Sequence, residues 1–167
     1  MSDDAQQPTG FDPEYRGELG GMFLAWRRIE FLLKCLLADL SAAGISNADE
    51  ALLTGVPDTE ALIHRCRELT NGDDVSNDEK PLINNWLDTV DQARRGAAPF
   101  LRSHSAFVRT DQQTWAPAFM TVEVQDGQLR TDGEAVSIEQ LRIWHSTAAA
   151  CEGSWGTLPP RFRRSPR

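Results

Sequence analysis

The sequence predicts a mainly α-helical fold: an up-down helical bundle with a small β-hairpin insertion near residues 118–131. Three observations carry that expectation. Tyr15, Leu19, Met22, Trp26, Ile29, Leu33, Leu36 and Leu40 recur at alternating spacings of four and three, a sustained apolar seam on one helix face. Further helical stripes follow it downstream. One loosely alternating, β-prone stretch at 118–124 (AFMTVEV) runs into Asp126-Gly127, a hairpin-type pair.

Residues 1–11 form a polar, acidic lead, expected to be disordered. Asp12 suits an N-cap and Pro13 the first helical position. A helix over 13–43 would be about 45 Å long. Phe23, Leu32 and Leu37 widen its stripe, and Gly44 is a natural stop. Gly17, Gly20 and Gly21 either fray its first turns or admit another backbone. A short helix over 47–53 ends at Gly55. A third begins after Pro57-Asp58, carries Leu62, Cys66 and Leu69, and closes at Asn71-Gly72. Residues 73–80 (DDVSNDEK) read as an acidic surface loop. A fourth helix carries Leu82, Trp86, Val90, Ala93 and Ala97, and Pro99 bends or ends it. Residues 128–131 form the return strand of the hairpin. Ser137 with Gln140 is a capping box opening a last helix with stripe Leu141, Trp144, Ala148 and Cys151. The division is therefore a lead (1–11), one helical domain (12–152) and a flexible Arg- and Pro-rich tail (153–167).

At 167 residues, 40% hydrophobic and 25% charged, the chain has the composition of a globular domain that buries a core without disulfide or metal help. Its net charge of −8 repels nucleic acid and anionic membrane, so any binding to RNA must use a local basic patch. Cys35, Cys66 and Cys151 are too few and too scattered for a disulfide framework or a zinc signature, and a reducing, cytoplasmic setting fits them. Residues 22–40 are interrupted by charges, so no membrane span is expected, and no metal or other cofactor is implied.

One window departs from the acidic background. Residues 92–110 (QARRGAAPFLRSHSAFVRT) hold Arg94, Arg95, Arg102, Arg109 and His104 with no Asp or Glu, in a chain with 25 acids. Guanidinium forks match phosphate geometry, and a neighbouring imidazole moves a proton near neutral pH. Together they supply what metal-independent RNA cleavage needs: charge stabilisation at phosphate and proton transfer. The alternative is that the arginines cap helix ends or solvate a face and that His104 is a satisfied, half-buried side chain.

The layout resembles the small bacterial HEPN-type proteins. Trp26-Arg27-Arg28-Ile29-Glu30-Phe31-Leu32-Leu33 is similar to a run common near their start, and His104-Ser105-Ala106-Phe107 stands where their Arg–His element falls. The likeness covers about 13–152. It implies a helical homodimer with a basic cleft on the two-fold axis, and roles in toxin–antitoxin or phage-defence systems. It also implies metal-independent endoribonuclease chemistry, with His104 as general acid/base, Arg95 or Arg102 stabilising the phosphate, and Arg94 and Arg109 binding RNA. In the family four to six residues separate the arginine from the histidine, and the positions this sets for the arginine here are Ala97, Ala98 and Pro99. Given this departure, a divergent or inactive member acting through binding stands at least level with an active ribonuclease.

The second reading is a non-enzymatic interaction or regulatory module. Its long first helix pairs with itself or with a partner protein, and its acidic surface meets a basic one. Trp26, Trp86 and Trp144 lie on apolar stripes and read as core, while Trp115 and Trp155 lie in loop-like segments suited to anchoring a partner. Glu30 and Lys34 form an i,i+4 pair, unless Glu30 turns into a cleft. Arg161, Arg163, Arg164 and Arg167 either touch RNA phosphates or solubilise the tail.

Overall fold

In the computed structural model, residues 10–41, 44–56, 58–101, 104–110, 114–125 and 127–163 are described. The lead at 1–9 lies outside them, as do Arg102, Arg164 and Arg167.

Helix α1 spans Pro13–Leu40. The Asp12 side chain accepts the Glu14 N–H at 2.8 Å, and Pro13 occupies the first turn. The seam read from the sequence is the buried face: Tyr15, Met22, Trp26, Ile29, Leu33, Leu36 and Leu40 all lie in the core, joined by Ala25 and Leu37. Phe23 does not widen it; that side chain faces outward. The helix stops at Leu40, with Ser41 closing it onto the Leu37 carbonyl, short of the expected residue 43.

Helix α2 (Asn47–Thr54) opens with a capping box between Ser46 and Asp49. Lys34 does not pair with Glu30. Its ammonium donates to the Leu53 and Gly55 carbonyls, at 2.8 and 3.2 Å, and so satisfies the end of α2. Helix α3 (Thr59–Thr70) is capped by Asp58 and buries Leu62, Ile63 and Cys66. Helix α4 (Lys80–Gly96) buries Trp86, Val90 and Ala93 of the expected stripe, with Ala97 just beyond its end also buried; Leu82 is exposed, and Ile83 and Leu87 take the core beside them. A single turn, α5 (Ala98–Leu101), follows and carries Pro99. Val75 anchors the intervening acidic loop by inserting into the core.

The β insertion is larger than the sequence indicates. Strands β1 (His104–Arg109), β2 (Trp115–Gln125) and β3 (Gln128–Ala135) form an antiparallel meander in the order β1-β2-β3. Gln125 pairs with Gln128 across the turn, and Gly127 takes φ 74°, a left-handed conformation that glycine adopts without strain. The segment expected to carry the basic site is thus itself a strand: His104 sits opposite Met120 and Arg109 opposite Trp115. Phe119 anchors the sheet to the helices, edge-on to Phe100 at 5.4 Å and 6.2 Å from Trp144. β3 is exposed along its length, which is why its sequence lacks a strand's apolar alternation.

Helix α6 (Ile138–Ser154) starts at Ser137, whose hydroxyl accepts the Gln140 N–H at 3.1 Å. It packs chiefly on α1 and also on α4, while α3 bridges α1 and α4. Gly21 faces α6 closely: a Cβ there would stand 2.4 Å from the His145 ring, which would have to shift. Trp86 ties α4 to α6 by donating its indole N–H to the Cys151 carbonyl at 3.2 Å.

Through Arg163 the C-terminal segment is docked rather than loose, a further departure from the sequence expectation. Two 3-10 turns, Trp155–Thr157 and Pro160–Phe162, bury Leu158 and Phe162, and Arg161 binds Glu79 through two nitrogens at 2.8 and 2.5 Å. Trp155 lies edge-on to Trp86 with ring centroids 4.9 Å apart. Two apolar anchors among prolines and arginines are enough: burying one such side chain contributes about 2–3 kcal/mol. Among the described residues, no helix is long and apolar enough to cross a membrane.

Candidate functional site

The basic window begins one residue after Asp91, and that neighbour decides what two of its arginines do. Asp91 is 6% exposed on α4. Arg94, one turn on, donates to it through Nε at 3.1 Å, with a terminal nitrogen in ion-pair contact at 3.0 Å. Arg95 donates from the next position at 2.7 Å. Arg67 approaches from α3 at 3.6 Å and also binds Asp88 at 2.6 Å. Arg94 reaches back across the interface to Glu60 at 3.0 Å. Burial alone would push the Asp91 carboxyl up; the bonds from Arg94 and Arg95 outweigh it and hold the carboxyl below the ordinary aspartate range. The result is an ion-pair ladder stitching α3 to α4.

Within it the two arginines differ. Arg94 is largely enclosed, its side chain 12% exposed between two carboxylates. Arg95 is 72% exposed and holds Asp91 from the rim. His104 is exposed at the start of β1, and no contact among the described residues ties its ring to Arg94 or Arg95. Arg109 ends the same strand, exposed and engaged by a neighbour. The five candidate residues are therefore dispersed over a helix end and a strand, with Arg102 outside the described residues.

The sequence did not flag a second buried ion pair. Asp49 on α2 is fully enclosed and takes Arg65 of α3 in a two-pronged bond at 2.6 and 3.2 Å. Hydrogen bonds from Arg65, with help from Ser46, hold its carboxyl far below the ordinary range against the opposing effect of burial. Its capping-box role was the only signal in the sequence. On α6, His145 meets Glu18 of α1 at 2.9 Å, and Arg142 pairs with Glu14 and Glu18.

The thiols are poorly suited to nucleophilic chemistry. Desolvation pushes Cys66 up to about 12, burial raises Cys151, and burial with nearby Asp39 raises Cys35. Among the described residues, no cluster of three or more His, Cys, Asp or Glu side chains is placed to hold a metal ion.

Two grooves flank Glu30, whose carboxylate is held by Arg27 at 3.0 Å and by the Thr59 hydroxyl at 3.4 Å. The first, about 940 Å³, runs along α3, with the charged and polar Asp58, Glu60, His64, Arg65, Glu68 and Arg94 on its walls beside Leu52, Val56 and Leu101. The second, about 640 Å³, lies between α1, α5 and the sheet. Leu19, Phe23, Trp26, Val56, Phe100, Leu101 and Phe119 make it mainly apolar, with Arg16 and Arg27 along the α1 side. The first sits beside the predicted basic segment; the second is one the sequence reading missed, because its wall combines outward residues of α1 with residues from α5 and β2.

Comparison of the chain with protein-family models, with curated proteins and with solved structures finds no match.

Proposed function

We propose that the chain is a non-catalytic helical interaction module, acting through protein–protein contacts along its long first helix. The observation that carries this reading is the convergence of Arg94 and Arg95 on Asp91. A guanidinium that holds a buried carboxylate must abandon it before gripping a phosphate, and breaking such a pair leaves an uncompensated buried charge. The missing arginine at 97–99 points the same way. The order of elements, from the long helix through the strands to the last helix, supports a divergent HEPN-like protein in which the ribonuclease arrangement has been lost. In the same reading the longer helices form an up-down bundle; the support is their ring of packing, α1 on α3 and α6, and α4 on the same two.

The test is cleavage of end-labelled RNA in EDTA by the wild-type protein, His104→Ala and Arg95→Ala. The expected outcome is intact RNA in all three. Cleavage by the wild type that disappears in His104→Ala would overturn the proposal and restore a metal-independent ribonuclease.

A further inference from the structure

Helix α1 has a second face that the rest of the fold leaves uncovered. Phe23, Leu24 and Phe31 are each more than half exposed on it, and Val56, across the groove, is 92% exposed. Gly17 and Gly20 lie on the same side. A Cβ added at either meets nothing within 4 Å, so intramolecular packing gives no reason for glycine at these helical positions. Glycine in a helix interior is disfavoured relative to alanine, and its usual compensation is close approach of another backbone.

The groove beneath this face has a definite chemistry. Its lining is apolar through Leu19, Phe23, Trp26, Val56, Phe100 and Phe119. Trp26 is 2% exposed, and its indole N–H is buried with no acceptor among the described residues. Arg16 lines the same groove and forms no ion pair among the described residues. Arg27 lies over the Phe23 ring at 5.4 Å while holding Glu30. With Arg27 paired to Glu30, which also lines the groove, Arg16 is the charge left uncompensated among the described residues, a local reversal of sign in a chain of net charge −8.

We infer that the α1 groove docks an acidic, amphipathic segment of a partner protein, which seats a large apolar side chain in the groove and carries a carboxylate to Arg16. Its backbone passes close to α1 at Gly17 and Gly20, where no side chain stands in the way. The inference rests on the interaction-module reading and specifies the partner's chemistry. A second copy of this chain fits less well, because a symmetric pairing brings the Arg16 and Arg27 side of one copy toward the same basic side of the other.

The probe is a fluorescein-labelled helical peptide of about 14 residues, roughly four turns, with a leucine/tryptophan face and a glutamate face. Its counterpart replaces glutamate by lysine. Fluorescence anisotropy should show saturable binding of the acidic peptide to the wild type and little binding of the basic one. Gly20→Leu and Arg16→Glu should each weaken the acidic peptide by about tenfold or more, and Arg16→Glu should favour the basic peptide. Gly20→Leu is the decisive variant, because a side chain there fills open space: its thermal midpoint should match or exceed the wild type's while binding is lost. Three outcomes would overturn the inference: no saturable binding to the wild type, equal binding of both peptides, or full affinity in folded Gly20→Leu. So would a dimer of this chain, seen by sedimentation, that Gly20→Leu dissociates while the peptide fails to bind. Intact RNA together with a peptide that does not bind would sink this inference alone; cleaved RNA would sink the interaction reading itself.

Discussion

The α3–α4 face and the α1 groove both carry arginines in an acidic chain, yet they differ in what those arginines do. On α3–α4, Arg67 and Arg94 cross the interface to carboxylates of the other helix, and Arg94 and Arg95 meet at Asp91. In the groove, Arg16 stands beside uncovered aromatic rings and an indole N–H without an acceptor. The first region is saturated and contributes to holding the fold together. The second leaves apolar and polar groups together without partners among the described residues, the combination on which the docking inference rests. A count of arginines in a sequence window cannot separate the two cases; the position of one buried aspartate does.

The largest difference between the regions should appear on deleting the hub. Asp91→Ala leaves the enclosed Arg94 with Glu60 alone and should cost about 1.5–3 kcal/mol of stability in urea unfolding. A loss below about 1 kcal/mol would mean that the ladder is not structural. Acid should then act on the same residues. Asp91 and Asp49 have folded-state pKa values below their unfolded ones, so the unfolded chain takes up protons first as pH falls. Their stabilising effect is fully present above the ordinary aspartate value of about 3.9 and is lost as pH drops through and below it. Asp91→Asn should flatten that acid limb, which unfolding midpoints measured from neutral pH downward would check.

Smaller effects belong to the exposed positions. Gly20→Ala in the groove should stabilise by about 1 kcal/mol, because helix propensity improves and nothing is displaced. A destabilised Gly20→Ala would show that the glycine serves the fold after all. Arg95→Ala should cost less than about 1 kcal/mol, since its pair with Asp91 lies at the rim and is screened by solvent.

Much of the helical framework was legible in the sequence because one periodicity suffices to find a buried helix face. The α1 seam, the Asp12 and Ser137 caps and the α6 stripe all lie where the pattern puts them. Strand β1 was not legible: its Ser-Ala-Phe-Val core is short and only half-buried, and arginines and a histidine surround it. β3 gave only the beginning of its span, because a strand exposed along its length has no apolar face to betray it. The docked C-terminal segment was masked by composition, since Leu158 and Phe162 are two anchors in a run of Pro, Gly and Arg.

The site was less legible than the fold. An acid-free window was visible, but Asp91 stands just outside it, and a linear count assigns no weight to a carboxylate one turn back on a helix. Glu60 and Arg67 were further still, coming from another element. The groove was invisible for the opposite reason: its wall draws on outward positions of α1 and on α5, β2 and Val56, which no single periodicity relates. Gly17 and Gly20 were the one sequence signal that pointed to it, as positions where another backbone approaches.

The claim that matters most is that the α1 groove, not the Arg94–His104 segment, is where this molecule meets its partner. It is tested most directly by titrating the acidic probe peptide into folded Gly20→Leu and folded Arg95→Ala side by side. Loss of affinity in Gly20→Leu with wild-type affinity in Arg95→Ala is the predicted result; wild-type affinity in Gly20→Leu with loss in Arg95→Ala would contradict it.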